Sequence, residues 1–229
     1  MDPRDLGLIN ELLEGEAQHK ERIREHVVTF EKKTRVMTSI LDKVHSTPKS
    51  DIPALLEALR PIFDSCHEVA AALAETIPRD EVWKWKDLWT TPLRAATFSV
   101  LLARFLTDGT LATLPSVAEQ LGIREEWKGR FSLVPEDYLH GIISVINELS
   151  RLAVNAVTLG DFEAPLRISV FAKEVFTGFS MLNLKNDALR RRFDTLKYDI
   201  KKIEEVVYDV TLRKLVSLSE SATDVESRS

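Results

Sequence analysis

Apolar residues along the first part of the chain recur mostly three, four or seven positions apart: Leu12, Ile23, Val27, Phe30, Val36, Ile40 and Val44. That spacing puts them on one side of a long amphipathic helix over 6–44, ending near His45. Ser46, Thr47, Pro48, Lys49 and Ser50 have loop chemistry. Asp51 followed by Pro53 predicts an N-cap with a first-turn proline, opening a helix that runs to Thr76. Pro78 and Asp80 precede a segment over 82–106, which must kink or restart at Pro92, where the missing N–H breaks the ladder. Asp108 and Gly109 close it. A short helix around 117–121 leads through Gly122 and a charged connection containing Trp127 to Pro135, Glu136 and Asp137. These start a helix carrying Tyr138, Ile142, Val145, Leu149 and Leu152. Gly160 stops that helix in the left-handed C′ position, and a further helix spans 165–182.

The sharpest pattern lies near the C-terminus. Leu189, Phe193, Leu196, Ile200, Ile203, Val207 and Val210 alternate spacings of four and three without a miss. Such a seam packs lengthwise on another helix, either inside a bundle or across subunits. After Val216 the chain turns to Ser, Glu and Asp, and the expectation is a helical domain over 1–217 with a disordered tail over 218–229.

Composition agrees with helix. The chain has 229 residues, 44% of them hydrophobic, with only 8 Gly and 9 Pro, enough for one substantial core without a linker to divide it. The expectation is an all-α, single-domain bundle of about seven helices. One cysteine, Cys66, excludes an intrachain disulfide and fits a reducing compartment. Acidic residues at the start and the lack of any apolar run of about 20 residues point away from export or a membrane span. The expected location is cytoplasmic, with the nucleus as a second site. A net charge of -5 means that any nucleic-acid site must come from local basic patches.

Three such patches exist. Arg190, Arg191, Arg192, Lys197 and Lys201 lie on the heptad helix, with Arg190, Lys197 and Lys201 on one face. A row of this kind offers phosphates a sequence-independent, salt-sensitive grip. The alternative is a solvated face balanced by Asp187, Asp194, Asp199, Glu204 and Glu205. Trp83, Lys84, Trp85, Lys86 and Trp89 interleave indoles with ammonium groups, the combination that holds single strands by stacking and charge. Trp85 and Trp89, one turn apart, are alternatively core. Lys20 and Arg24 form a third pair on the first helix. Catalytic signals are weak: there is no phosphate-cradling glycine loop, zinc-type cysteine pairing or G-x-S-x-G elbow. Asp137-x-x-His140 has the spacing of di-metal bundles but is not repeated, so it is taken as a helix-start cap and surface residue. Asp161 and Glu163 alone make a poor hard-cation site, with Glu163 the weak candidate.

Residues 148–161 (ELSRLAVNAVTLGD), 182–187 (LNLKND) and 196–209 (LKYDIKKIEEVVYD) closely resemble the translin family. The resemblance is most specific over 136–215 and looser before it, as at Lys43-Val-His45. It implies an all-α fold, assembly into a closed hollow oligomer, an octamer in this family, and a partner, the paralogue translin-associated factor X. It also implies binding of single-stranded RNA and DNA by basic residues on the inner surface, which match Lys20, Arg24, Lys84, Lys86, Arg190, Arg191, Arg192, Lys197 and Lys201. Leu88 and Thr90 stand where animal translins place further histidine and arginine, and Pro92 also departs from the pattern. The paralogue is the Mg2+-dependent endoribonuclease of the mixed complex, acting in small-RNA or tRNA processing. At its four carboxylate positions this chain has Ala95, Phe98, Glu163 and Arg167, so the resemblance implies a largely non-catalytic subunit with no cofactor of its own. The alternatives are a weak Mg2+-dependent endoribonuclease and a helical adaptor without a nucleic-acid role.

Overall fold

The computed structural model describes residues 3–185 and 187–213, so the expected tail over 218–229 lies outside the described residues. The chain is all-α. In order, the helices are α1 (Pro3–Leu41), α2 (Ile52–Glu57), α3 (Arg60–Thr76), α4 (Val82–Trp85), α5 (Thr90–Asp108), α6 (Leu114–Gln120), α7 (Pro135–Thr158), α8 (Ala164–Ser180) and α9 (Ala188–Leu212), with short 3-10 turns between some of them. No helix among the described residues is long and apolar enough to cross a membrane.

The central element is α7, whose apolar face from Ile142 to Ala156 is buried while Arg151 and Val154 stay exposed. It packs against α5, α8 and α9, while α1 covers α3 and α5. Side-chain contacts fix the directions. Arg94 on α5 meets Asp137 on α7, and Arg192 on α9 meets His140. Further along, Asn147 and Ser150 hydrogen-bond to Asp199 on α9 at 2.5 and 3.2 Å. Thus α5, α7 and α9 run the same way with their starts at one end. α8 runs against them, its Phe176 and Phe179 stacking on Phe193 while Lys173 reaches Glu204 at 2.8 Å. Phe131 bridges the layers edge-on to Phe30 of α1 and to Trp89. His45, in the turn after α1, donates to Glu148 and accepts from Asn155 at 2.9 Å, tying that end of α1 to α7.

The heptad seam is a bundle seam. Leu189, Phe193, Leu196, Ile203 and Val210 are buried against the chain's own α7 and α8, and Ile200 and Val207 are half-buried. Elsewhere the pattern misleads. The stripe of α1 that enters the core is Ile23, Val27, Phe30, Thr34, Met37 and Leu41, continued by Val44 in the 3-10 turn that follows. Val36 is exposed because buried Thr34, bonded to the Phe30 carbonyl at 3.0 Å, holds the inward register instead. Leu12 is exposed because the first turns of α1 project past the bundle, leaving residues 6–18 uncovered. The helix expected over 51–76 is two helices. Pro61 has no N–H for the Glu57 carbonyl, so α2 ends and α3 restarts around buried Leu59. Asp51 caps nothing with its side chain, which accepts instead from the Ser50 hydroxyl at 2.9 Å. These breaks, and the restart before Pro92, raise the helical segments among the described residues above the seven expected.

Two glycines behave as turn chemistry demands. Gly160, at φ +85, ends α7, and Gly122, at φ +72, follows α6. At Gly122 a Cβ would sit 2.5 Å from the His67 Cα, so a side chain there meets backbone as well as an unfavourable φ. Gly122→Ala is therefore expected to destabilise the fold by about 1–3 kcal/mol, read as a lower urea midpoint with an unchanged slope. Gly7→Ala, in open space on the projecting helix, is the neutral comparison.

Candidate nucleic-acid interface

The shared direction of the helices decides where the basic residues go. α4 is one turn long, with Val82 and Trp85 on its inner side. Trp85 and Trp89 are buried at 6% and 2% exposure, so both are core, whereas Trp83 is 71% exposed. Lys84 pairs with Glu16 of α1 and lies with its Nζ 4.9 Å from the Trp85 ring centre. His19 of α1 stands against the same indole, 5.5 Å between centres. These contacts bring the Lys84 and Lys86 patch to the α1 segment that carries Lys20 and Arg24. Lys20 and Lys86 are exposed and have no carboxylate partner among the described residues, while Arg24 makes an exposed pair with Glu21 at 3.5 Å.

On α9, Asp187 starts the helix by accepting from the Arg190 N–H at 3.1 Å, the N-cap arrangement that places an acid at the positive end of the macrodipole. Arg190 reaches Asp194 at 3.1 Å. Arg191, Lys197 and Lys201 are exposed with no carboxylate partner among the described residues, and Lys197 lies 5.0 Å from the Tyr198 ring centre. Arg192 differs. Its guanidinium turns inward and donates to His140 Nδ1 at 3.0 Å, the His140 carbonyl at 3.4 Å and the Ser144 hydroxyl at 3.0 Å. Burial and the nearby Arg94 hold its pKa below the usual guanidinium value. Position 192 is three beyond Leu189 and four before Leu196, so it belongs to the seam side and not to the outer face of Arg190, Lys197 and Lys201.

Asp137 and His140 are not the surface residues that their spacing suggested. Both are buried, at 6% and 2% exposure. Arg94 binds Asp137 at 2.5 Å and Glu136 at 3.3 Å. His140 sits between Arg94 and Arg192, its Nε2 without a hydrogen bond among the described residues and 3.8 Å from the Glu136 carboxylate. Its pKa is lowered, by burial first and then by the two guanidinium groups, against the opposing pull of Glu136 and Asp137. Arg94 gives no sequence signal, since a single arginine one turn into a helix acquires meaning only when another helix brings acids to it. The patches of α1–α4 and of the α9 start are thereby linked through the starts of α5 and α7, while Lys197 and Lys201 continue the charge down α9.

The loop after α7 does not fit a hard cation. Asp161 accepts from the Ala164 N–H at 3.1 Å and faces Arg167 at 3.4 Å, while Glu163 lies 3.5 Å from Arg167 and 3.4 Å from Lys49. Exposed Lys49 and Arg167 thus pair with the two carboxylates that a cation would need, and no cluster of three potential ligands exists among the described residues. Ala95 and Phe98 are close to the start of α7, whereas Glu163 and Arg167 come after its end. Cys66 is buried and its thiol is pushed up to about 11, which leaves it inert.

An all-α bundle in which α5, α7 and α9 start at one end, with exposed cations near those starts and along α9, is the class of protein the fold defines. The translin family model matches residues 18–214, and the chain belongs to that family. It is 42% identical to translin of Gallus gallus, covering 86% of each chain, and 39% identical to translin of Homo sapiens, covering 88% of this chain and 89% of that one. Identity to translin-associated protein X of Mus musculus is 24%, over 81% of this chain and 69% of that one. Among solved structures, apo-NeC3PO superposes with TM-score 0.61 at 16% identity, covering 92% of this chain and 98% of that one. AfC3PO in complex with duplex RNA gives 0.62 at 14%, covering 93% and 98%.

The buried imidazole makes stability depend on pH. With its folded pKa below the ordinary 6.5, His140 stays neutral in the fold while the unfolded chain takes up a proton. The contribution is complete above that pH and is lost as pH falls below it. As pH falls from about 7.5 to about 5.5, through the ordinary histidine range, the urea midpoint should drop. In His140→Asn the drop should be smaller, and an equal drop in both would show that other groups control it.

Proposed function

We propose that this chain is a non-catalytic subunit of a closed, hollow homo-oligomer, an octamer, that grips single-stranded RNA or DNA through phosphate contacts. The observation that carries the reading is a group of exposed cations without carboxylate partners among the described residues, Lys20, Lys86, Arg191, Lys197 and Lys201, arranged near the common helix starts and down α9. Membership of the translin family supports it, as does the fold shared with a solved complex that contains duplex RNA. Counterion release supplies affinity without sequence reading, so the expected grip is independent of sequence and weakened by salt. Similarity to translin-associated protein X supports a catalytic partner of that kind, which would supply the Mg2+ site that this chain's own loop does not fit. The mixed complex would trim small RNAs or tRNA fragments in the cytoplasm, with the nucleus as a second location.

Assembly has its own support. Leu6, Leu8, Ile9, Leu12 and Leu13 are 44–62% exposed on the projecting part of α1. Five large apolar side chains left in water on one helical segment form the kind of exposed patch that marks a protein interface, and a covering subunit would bury them. Ile9→Asp with Leu13→Asp is expected to shift the particle in sedimentation toward the 26.0 kDa monomer; an unchanged particle would exclude this part of α1 from the interface.

The phosphate grip is tested by Lys197→Glu with Lys201→Glu. Affinity for a single-stranded RNA should fall by at least about tenfold, and the slope of log affinity against log salt should become shallower by roughly two. Affinity and slope both unchanged would leave an adaptor with an idle basic face.

A further inference from the structure

The helical turn at α4 sorts its aromatic residues. Val82, Trp85, Leu88 and Trp89 pack toward the core, and Trp83, pointing away from that side, keeps 71% of its surface exposed. Nothing in the bundle accounts for an indole held out in this way. Its sequence neighbours on the exposed side are Lys84 and Lys86. Lys84 is already engaged by Glu16 and by the Trp85 ring, whereas Lys86 is exposed with no carboxylate partner among the described residues. Lys20 lies on the α1 segment that these contacts draw against α4. A flat, exposed π-surface is therefore set three residues from a cation that is free to meet phosphate, Lys86.

We propose that Trp83 is a base-stacking platform, on which an unpaired nucleobase lies flat while Lys86 holds a flanking phosphate. This rests on the reading of the chain as a single-strand binder and adds to it a residue that discriminates strandedness. In a duplex both faces of each base are covered by neighbouring pairs, so the indole can reach only a base that is unpaired or terminal. Every base has a π-face, so the platform is tolerant of sequence. Tyr198 repeats the combination on α9, 66% exposed with Lys197 beside its ring. Tyr208 provides an internal contrast: it is 65% exposed on the same helix but flanked by Glu204, Glu205 and Asp209, whose charge repels phosphate.

The test uses the full chain in its assembled state, with an oligouridine of about 20 nucleotides and a blunt duplex of the same length as probes. Trp83→Ala should weaken oligouridine binding roughly 5- to 100-fold and leave the duplex within about twofold. Trp83→Phe should retain most of the affinity, and Tyr208→Ala should change nothing. Strand binding should also quench tryptophan fluorescence in the wild type, with the quenching largely lost in Trp83→Ala. Unchanged oligouridine affinity in Trp83→Ala, alongside a loss in the Lys197→Glu and Lys201→Glu variant, would overturn the platform and leave the phosphate reading standing. Equal weakening for strand and duplex, or a smaller particle by light scattering, would also overturn it, assigning the ring to general contact or to a subunit interface. If neither variant weakens the strand, the nucleic-acid reading falls and the platform with it.

Discussion

The starts of three helices are held together by two guanidinium groups that reach buried partners. Arg94 of α5 closes on Asp137 of α7, and Arg192 of α9 closes on His140 and Ser144 one turn further on. Aligned macrodipoles gathered at one end repel one another and attract anions. The local acids Asp137, Glu136 and Asp187 offset that repulsion, and the first two also hold the positive charge of Arg94, while Arg192 is held by the neutral acceptors of His140 and Ser144. Without this clamp, α9 would have only its apolar seam to set its register against α7. With it, the outward face of α9 is rotated so that Arg190, Lys197 and Lys201 face away from the core. Loss of one partner from such a network leaves an uncompensated buried charge, which costs more than the pair contributes when intact.

The same arrangement explains a division of labour among residues of one chemical type. Of the nine basic residues drawn from the sequence, Lys84, Arg24 and Arg190 are occupied by nearby carboxylates, and Arg192 is structural. Lys20, Lys86, Arg191, Lys197 and Lys201 remain available. Exposed pairs such as Arg24 with Glu21 are worth little and yield readily to a phosphate, so they remain candidates for binding. Arg192 cannot leave His140 without opening the start of α9. The loop after α7 follows the same economy with opposite sign, since Lys49 and Arg167 occupy the carboxylates of Asp161 and Glu163 and turn a would-be cation site into a surface lattice of ion pairs.

Much of this fold could be read from the sequence, for reasons that also mark where reading stops. The seam of α9 was legible because every inward position is apolar and its partner helices belong to the same chain. In α1 the periodicity found the right helix but the wrong face at Val36, because a threonine that bonds its own backbone can occupy a core position. It also gave Leu12 a core that is not there: spacing reports a face, not the presence of something to cover it. Pro61 was passed over although its missing N–H divides the segment, while the restart at Pro92 was anticipated by the same chemistry. The basic patches were visible as clusters, yet the inward turn of Arg192 could have been read only by placing it on the seam three residues from Leu189. Arg94, Asp137 and His140 acquire their roles from pairings 43 and 52 residues apart, which no local pattern encodes.

The account rests on many copies presenting modest clusters of lysine and arginine to one strand. Sedimentation of the wild-type protein with a labelled single strand, across a series of salt concentrations, tests this most directly. The strand should travel with a particle several times heavier than 26.0 kDa, and its release should follow a straight, steep line in log affinity against log salt. A lone 26.0 kDa particle, or a bound strand indifferent to salt, would contradict it.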